Sequence, residues 1–408
     1  IIMENVSSSN GLEKYPKLRF PGFGEPWKTV RLSDVTSFRR QRAKSPKNAY
    51  VSTENLLQNF EGIVAYLDKD EVEGIAFMPG DTLLANIRPY LKKAWLASFE
   101  GICSADVLAF SPEKITASFL YDIIARDCFI EYVMGGVKGS KMPRGDKAHI
   151  LEYEFAIPEK SEQEKISAFI ASIDHRIKKQ REMIDVLKKY KRGLSDELFV
   201  ESGTAEDWMT VPFDKAFELL QNNTFSRNEM STENGIVYNI HYGDVLIKYG
   251  SVVNLSKSKV PYIRSNVSLS KFAQHSYLRD GDIVIADTAE DYTVGKAVEI
   301  VGATGMKALS GLHTIPCRPK LSFAPMYLGY FFNSKRFRTQ MLPLVQGTKV
   351  SSISKSEILK TAVVFPSYEV QSRIASMLYT LDQKIDICNA CAHELVRVKE
   401  ALLQQLII

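Results

Sequence analysis

Two stretches of the chain carry the same polar and apolar rhythm. From residue 158 the sequence reads PEKSEQEKISAFIASIDHRI, and from residue 366 it reads PSYEVQSRIASMLYTLDQKI. At a constant offset of 208, Pro158 meets Pro366, Gln163 meets Gln371, Ile166 meets Ile374, Asp174 meets Asp382 and Leu198 meets Leu406. Apolar residues recur at 166, 170, 173, 177, 184, 187, 194 and 198, and again at 374, 378, 381, 385, 392, 395, 402 and 406. Steps of three and four give a heptad seam, so each stretch is expected to be one long helix of roughly 60 Å at about 1.5 Å per residue. Gln180 and Lys191 interrupt the first seam, and Cys388 and Lys399 the second. Pro158 sets the first start, with Ser161 and Glu164 spaced as a capping box; Ser367 offers the second helix a weaker cap. Neither helix buries its stripe alone. Two stripes in matched register point to an antiparallel intramolecular coiled coil with a globular region at each end, the seam lysines acting as a register device or covering apolar surface with their stems.

The rest of the chain echoes itself more faintly. Trp27-Lys28-Thr29-Val30 is answered by Trp208-Met209-Thr210-Val211, Gly80-Asp81 by Gly281-Asp282, and Gly139-Ser140-Lys141 by Gly347-Thr348-Lys349. The offset drifts from 181 to 201 to 208, as loops of unequal length on a shared frame require. Short β-type runs such as Asp81 to Ala85, Asp282 to Ala286 and Thr361 to Phe365 alternate with turn residues, and helical pieces are expected near 118–132 and 325–340. The class is α+β: two repeated globular domains of mixed helix and strand, each followed by a long helix. The expected division is a flexible tail over 1–14, a first domain over 15–160, a first helix over 161–200, a second domain over 201–366 and a second helix over 367–408.

Charge narrows the function. There are 52 basic and 48 acidic side chains in 408 residues, a net of +4, so any surface for nucleic acid is local. No run of 18 apolar residues and no secretory leader is visible, which makes the cytoplasm the expected compartment. Five cysteines fit reduced thiols better than a disulfide framework.

Motifs for chemistry are missing. No Asn-Pro-Pro-aromatic or Asp-Pro-Pro-aromatic tetrapeptide, no Gly-x-Gly-x-x-Gly and no phosphate-binding Gly-x-x-x-x-Gly-Lys-Ser/Thr loop occurs. Asp382-Gln383-Lys384, which resembles a nuclease triplet, and Cys388-x-x-Cys391 with His393, which resembles half a metal site, both fall inside the expected second helix. The histidines show no ligand spacing. The chain is therefore not expected to be an enzyme, nor to bind a metal.

What remains suits DNA. Arg39, Arg40, Arg42 and Lys44 form a compact basic loop; Arg88, Tyr90 and Lys92 follow an expected strand; Lys138, Ser140, Lys141 and Arg144 sit among glycines. Such residues anchor phosphates and donate to base edges. The second half places Arg227, the acidic and polar run Asp287 to Tyr292, and Thr348, Lys349, Ser351 and Ser352 at corresponding points. Equal frames with unlike side chains suit two ligands of one class, such as two short DNA sequences. A protein scaffold with two adaptor domains on a coiled-coil rod is the competing reading, and it differs in requiring no salt-dependent DNA binding.

These features resemble the specificity subunits of type I restriction-modification systems. The opening Lys17-Leu-Arg-Phe-Pro-Gly-Phe23 with Trp27, and the Gly-Ser/Thr-Lys segments running into a strand, a proline and a long helix, are similar to that family across nearly the whole chain. The resemblance implies two target-recognition domains, each binding half of a split, asymmetric double-stranded DNA site, with the helices as a ruler for the spacer. It also implies two modification subunits that carry S-adenosylmethionine, methylate adenine and dock on the helices, with restriction subunits completing the complex. Its position-by-position bets are the loops at Gly139-Ser140-Lys141 and Gly347-Thr348-Lys349.

Overall fold

The computed structural model describes residues 15–68, 70–139, 141–200, 208–347 and 349–408, together with a short strand at Glu4–Asn5. The expected tail over 1–14 otherwise lies outside the described residues, as do Ser140 and Thr348. Two compact units emerge, one of residues 1–181 with 390–408 and one of residues 182–389.

In the first unit, strands Thr36–Phe38, Val107–Pro112, Thr82–Ala85 and Ala94–Leu96 form one antiparallel sheet in that order. Strands Arg42–Pro46, Glu71–Phe77, Gly101–Cys103 and Tyr50–Val51 form a second. The run Leu83, Leu84, Ala85 is buried because it is central in its sheet and covered on both faces. Glu154–Ile157 pairs with Lys28–Arg31 and leads into the first long helix, Lys160–Leu198.

The second unit repeats the first of these sheets with a fifth strand added at its edge, whereas its smaller sheet follows a different strand order. Its larger sheet runs Phe217–Leu219, Thr314–Pro319, Ile283–Ala286, Ala297–Val301, Val252–Asn254, and its smaller one Met230–Ser231, Tyr262–Ile263, Val237–Ile240, Lys307–Ser310. Ala362–Phe365 pairs with Met209–Pro212 and leads into the second long helix, Tyr368–Leu406. These strands and helices stand 208 residues after Glu154–Ile157 and Lys160–Leu198. The helical pieces expected as single segments are each two helices, Ala117–Ile124 then Asp127–Gly135, and Tyr327–Asn333 then Lys335–Met341. Arg126 and Ser334 take extended backbone at the breaks, and the Ser334 hydroxyl accepts from Phe337 N–H to cap the following helix.

The long-helix start differs from the expected capping box. The helix begins at Lys160, so Ser161 lies inside it and its hydroxyl donates to Glu159 Oε1. Gln163 does the joining instead. It is 2% exposed, donates to the Pro158 carbonyl at 2.9 Å and accepts from Thr116 N–H at 2.9 Å. Gln371 repeats both bonds, to Pro366 O at 2.9 Å and from Ala324 N at 3.0 Å. Each glutamine ties its helix entry to the domain just before it, and each leaves no buried polar group open there.

Within each unit the two helix segments run antiparallel. In the first, Ile166 and Ile170 share a core with Leu403, Leu406 and Ile407, while Asp174 further along meets Lys399. In the second, Lys191 meets Asp382, and beyond it Leu194 and Leu198 pack with Ile374 and Leu378. The seam lysines are thus paired: Lys399 Nζ lies 2.7 and 2.8 Å from the Asp174 carboxylate oxygens, and Lys191 Nζ lies 2.5 Å from Asp382 Oδ1. The opening motif also gains a physical role. Arg19, 4% exposed, grips Glu162, 1% exposed, through two bonds of 2.8 Å, and Phe20 packs edge-on against Phe169 at 5.8 Å.

Candidate nucleic-acid interface

The motif loops that lie far apart in sequence converge at one edge of each unit. In the first, Lys138 and Arg144 exchange reciprocal backbone bonds at 2.9 and 3.0 Å. Arg88 N–H donates to Pro143 O at 2.8 Å and Gly145 N–H to Asn86 O at 3.2 Å, which fastens this loop to the segment leaving strand Thr82–Ala85. In the second, Gln346 and Ser352 close the matching loop at 2.9 and 2.8 Å, and Ser352 pairs with Thr288, just past strand Ile283–Ala286. Both loops turn on glycines with positive φ, Gly139 at 88° and Gly347 at 102°. At Gly347 a Cβ would sit 2.0 Å from Val350 O, so only glycine fits.

The expected residues divide by what holds them. Arg39 is drawn inward: its Nε and Nη2 lie 2.8 and 3.0 Å from the buried Asp81 carboxylate, which also accepts from Met78 N–H. Asp81 keeps the Arg39 guanidinium protonated even more firmly than usual. Arg227 is held likewise, 2.7 and 2.9 Å from the fully buried Asp244. Burial alone would raise Asp244, but bonds from Arg227 and Lys248 outweigh it and hold its carboxyl below the usual range. Lys92 pairs with Asp127 at 2.8 Å. These three cations brace loops through the protein's own carboxylates.

Others face solvent. Arg40, Arg88, Tyr90 and Lys141 are exposed in the first unit, as are Lys349 and Ser352 in the second, with Ser351 half-buried beside them. Arg42 and Lys44 make only rim contacts with Glu73 at 3.1 Å and Glu71 at 3.8 Å. Arg144 lies 3.1 Å from Asp106 and stays more than half exposed, and Lys138 pairs with Asp146 while remaining mostly in water. The Lys138 ammonium, with Ala148 and His149 N–H groups, holds the Asp146 carboxyl below its ordinary range. Exposed pairs of this kind are worth little and exchange readily for phosphate contacts.

Beside this edge the first unit has a cleft of about 740 Å³ whose walls include Arg40, Arg42, Tyr50, Ser104 and Lys147. Lys147, at the start of helix Lys147–Leu151, is absent from the sequence reading, although Lys355 stands 208 residues later and was a usable signal. The second unit's edge carries instead His313, whose ring lies edge-on to Tyr242 at 5.2 Å with Nδ1 3.4 Å from Asp287 Oδ1. His241, which caps Gly243 N–H, is pushed down to about 4 by burial and by Arg227, so it is neutral at neutral pH. Among the described residues no group of three or more His, Cys, Asp or Glu gathers as a metal-ligand set, and no helix is long and apolar enough to cross a membrane.

Loop edges of this kind, set twice on one frame, fit DNA-reading domains, and residues 24–188 match the type I restriction modification DNA specificity domain family. Over its whole length the chain is 22% identical to the type I restriction enzyme MjaVIII specificity subunit of Methanocaldococcus jannaschii, covering 97% of that protein. It is 23% identical over 168 residues to the EcoDI specificity subunit of Escherichia coli, 39% of this chain and 37% of that one. Among solved structures, the S subunit of a type I restriction-modification system from M. genitalium is similar in fold, with a TM-score of 0.56 and 14% identity, covering 96% of this chain and 99% of that one. A chain from a type I R-M system solved for its complex assembly and conformational transition gives 0.54 and 16%, covering 93% and 97%.

Proposed function

We propose that this chain is the DNA specificity subunit of a type I restriction-modification complex, each unit reading one half of a bipartite asymmetric site. The observation that carries the reading is the double occurrence of one loop edge with unlike side chains. Arg40, Arg42, Lys44, Arg88, Tyr90, Lys138, Lys141 and Arg144 are the DNA-facing residues of the first unit, and Lys349, Ser351 and Ser352 those of the second; Ser140 and Thr348, adjacent in sequence, belong to the same proposal and lie outside the described residues. Arg39, Lys92 and Arg227 position those loops. The helices set the spacer and dock two modification subunits, which bring S-adenosylmethionine and the adenine chemistry; restriction subunits join in the cytoplasm. This chain supplies recognition and no catalytic group.

The test is single-molecule methylome sequencing of a methylation-free host that carries the cognate modification subunit, with and without this chain. The expected result is a new split adenine-methylated motif that appears only with the chain. Identical methylomes, despite co-purification of the two proteins, would overturn the reading in favour of a scaffold.

A further inference from the structure

The offset between the halves grows from 181, between strands Thr36–Phe38 and Phe217–Leu219, to 189, between Val51 and Ile240, which take equivalent parallel partners, and to 201, between Thr82–Ala85 and Ile283–Ala286. The added residues therefore lie between Leu219 and Ile283, on both sides of strand Val237–Ile240, and they build a feature outside the motif loops. It is an open groove of about 1220 Å³ whose floor includes Tyr238 and Tyr262, with rings stacked at 4.5 Å and hydroxyls 3.1 Å apart.

Its walls are cationic and hydroxylic. Lys257 and Lys259 project from the loop Ser256-Lys257-Ser258-Lys259, both exposed and both without an ion pair among the described residues. The loop is rigidly made: Asn254 Oδ1 accepts from Ser256 N–H at 3.0 Å and Ser256 Oγ at 2.6 Å, while its carbonyl accepts from Lys257 and Ser258 N–H at 3.1 and 2.7 Å. Arg264 is fixed by Nε donating to Met230 O at 2.9 Å, with the rest of its fork toward the groove. Lys248 and Arg227 lie at one end over Asp244, and Glu233 is the exposed carboxylate of the lining. Ser231, Thr232 and Ser265 add neutral donors.

We infer that this groove grips the sugar–phosphate backbone of the DNA read by the second unit. The inference rests on the DNA-specificity reading and locates that unit's anchoring charge. Its loop edge offers Lys349 where the first unit offers Arg88, Lys138, Lys141 and Arg144, and Lys257, Lys259 and Arg264 make up the difference. Clustered, unneutralised cations interleaved with hydroxyls are the chemistry of phosphate contact, and they carry no base code.

The experiment uses the full chain assembled with its modification subunits. Binding to the cognate duplex is measured over a salt series for the wild type, for the triple variant Lys257→Ala/Lys259→Ala/Arg264→Ala, and for a control with Lys215→Ala/Lys320→Ala elsewhere on the unit. The expected result is a slope of log K against log salt shallower by about 2 to 3 in the triple variant alone, at about 0.9 per phosphate contact, with the methylated motif unchanged. A wild-type slope retained by the triple variant overturns the groove while leaving the function intact. So does an equal fall in the control, or a changed motif at constant slope. A wild type with no salt-dependent DNA binding overturns both readings.

Discussion

The two units share a frame and differ in how it is fastened and charged. Gln163 and Gln371 make the same two bonds, and Lys399 with Asp174 matches Lys191 with Asp382. Glu162, by contrast, is a buried partner for Arg19, whereas the residue 208 positions later, Val370, is an apolar side chain 38% exposed. The loop edge is strongly cationic in the first unit and mostly polar in the second. Groups that set helix entry and register recur because both halves solve the same packing problem; the loop edges, which we propose meet two different DNA half-sites, diverge.

The sharpest way to break this comparison is at Glu162. Removing one member of a buried ion pair leaves the other charged and desolvated, at a cost of about 3–5 kcal/mol. Glu162→Ala is therefore expected to destabilise the first unit by that amount, and Val370→Ala to cost the second less than about 0.5 kcal/mol. Urea unfolding followed through single tryptophans, Trp27 or Trp95 in one unit and Trp208 in the other, separates the two. Equal losses would show that Arg19 is not a device of the first unit alone.

Much of this frame was legible in the sequence. Seam positions, the antiparallel pairing and the equivalence of Asp174 with Asp382 followed from periodicity and a constant offset. The loops at 138–144 and 346–352 could be marked because they join glycines to potential phosphate and base donors and answer each other at an offset of 208. What stayed hidden depended on long-range partners. Arg39 and Arg227 look like free cations until Asp81 and Asp244 are seen beneath them, and nothing local distinguishes them from Arg40. Likewise Ser161 and Glu164 have capping-box spacing, but the proximity of Thr116 lets Gln163 serve as the joint. The groove of the second unit left a trace only as a jump in offset.

A smaller contrast concerns protons. Each unit has a buried carboxyl at a position that is apolar or aromatic in the other: Asp122, against Tyr330, and Glu299, against Leu96. Burial pushes Asp122 up to about 7, opposed by the Ser167 hydroxyl and Lys399, and pushes Glu299 up to about 7 against the backbone N–H groups it caps. A carboxyl whose folded pKa exceeds its unfolded one holds a proton that the unfolded chain has released. Its stabilisation is full below about pH 4 and is lost as pH rises through 7, at up to about 1.4 kcal/mol per pH unit. Asp122→Asn is expected to flatten that fall in the first unit only, read as urea midpoints between pH 4 and 7.5 with Trp27 and Trp95 as reporters. An unchanged slope would mean that Asp122 is ionised in the folded state.

The finest distinction lies within the seam. Lys399 is 15% exposed and its partner Asp174 42%, whereas Lys191 and Asp382 are 21% and 26% exposed. Asp382 also accepts from the Tyr330 hydroxyl at 2.8 Å, and the Lys191 ammonium lies 5.2 Å from that ring. A carboxylate held from two sides loses less freedom on pairing, so its charge contact is better preorganised. Double-mutant cycles to alanine are expected to give a coupling near 1 kcal/mol for Lys191 with Asp382 and about 0.5 kcal/mol for Lys399 with Asp174. Tyr330→Phe should bring the first value down toward the second. If both couplings were equal before and after that change, the tyrosine would contribute packing alone, and the two seam contacts would be equivalent in energy as they are in sequence.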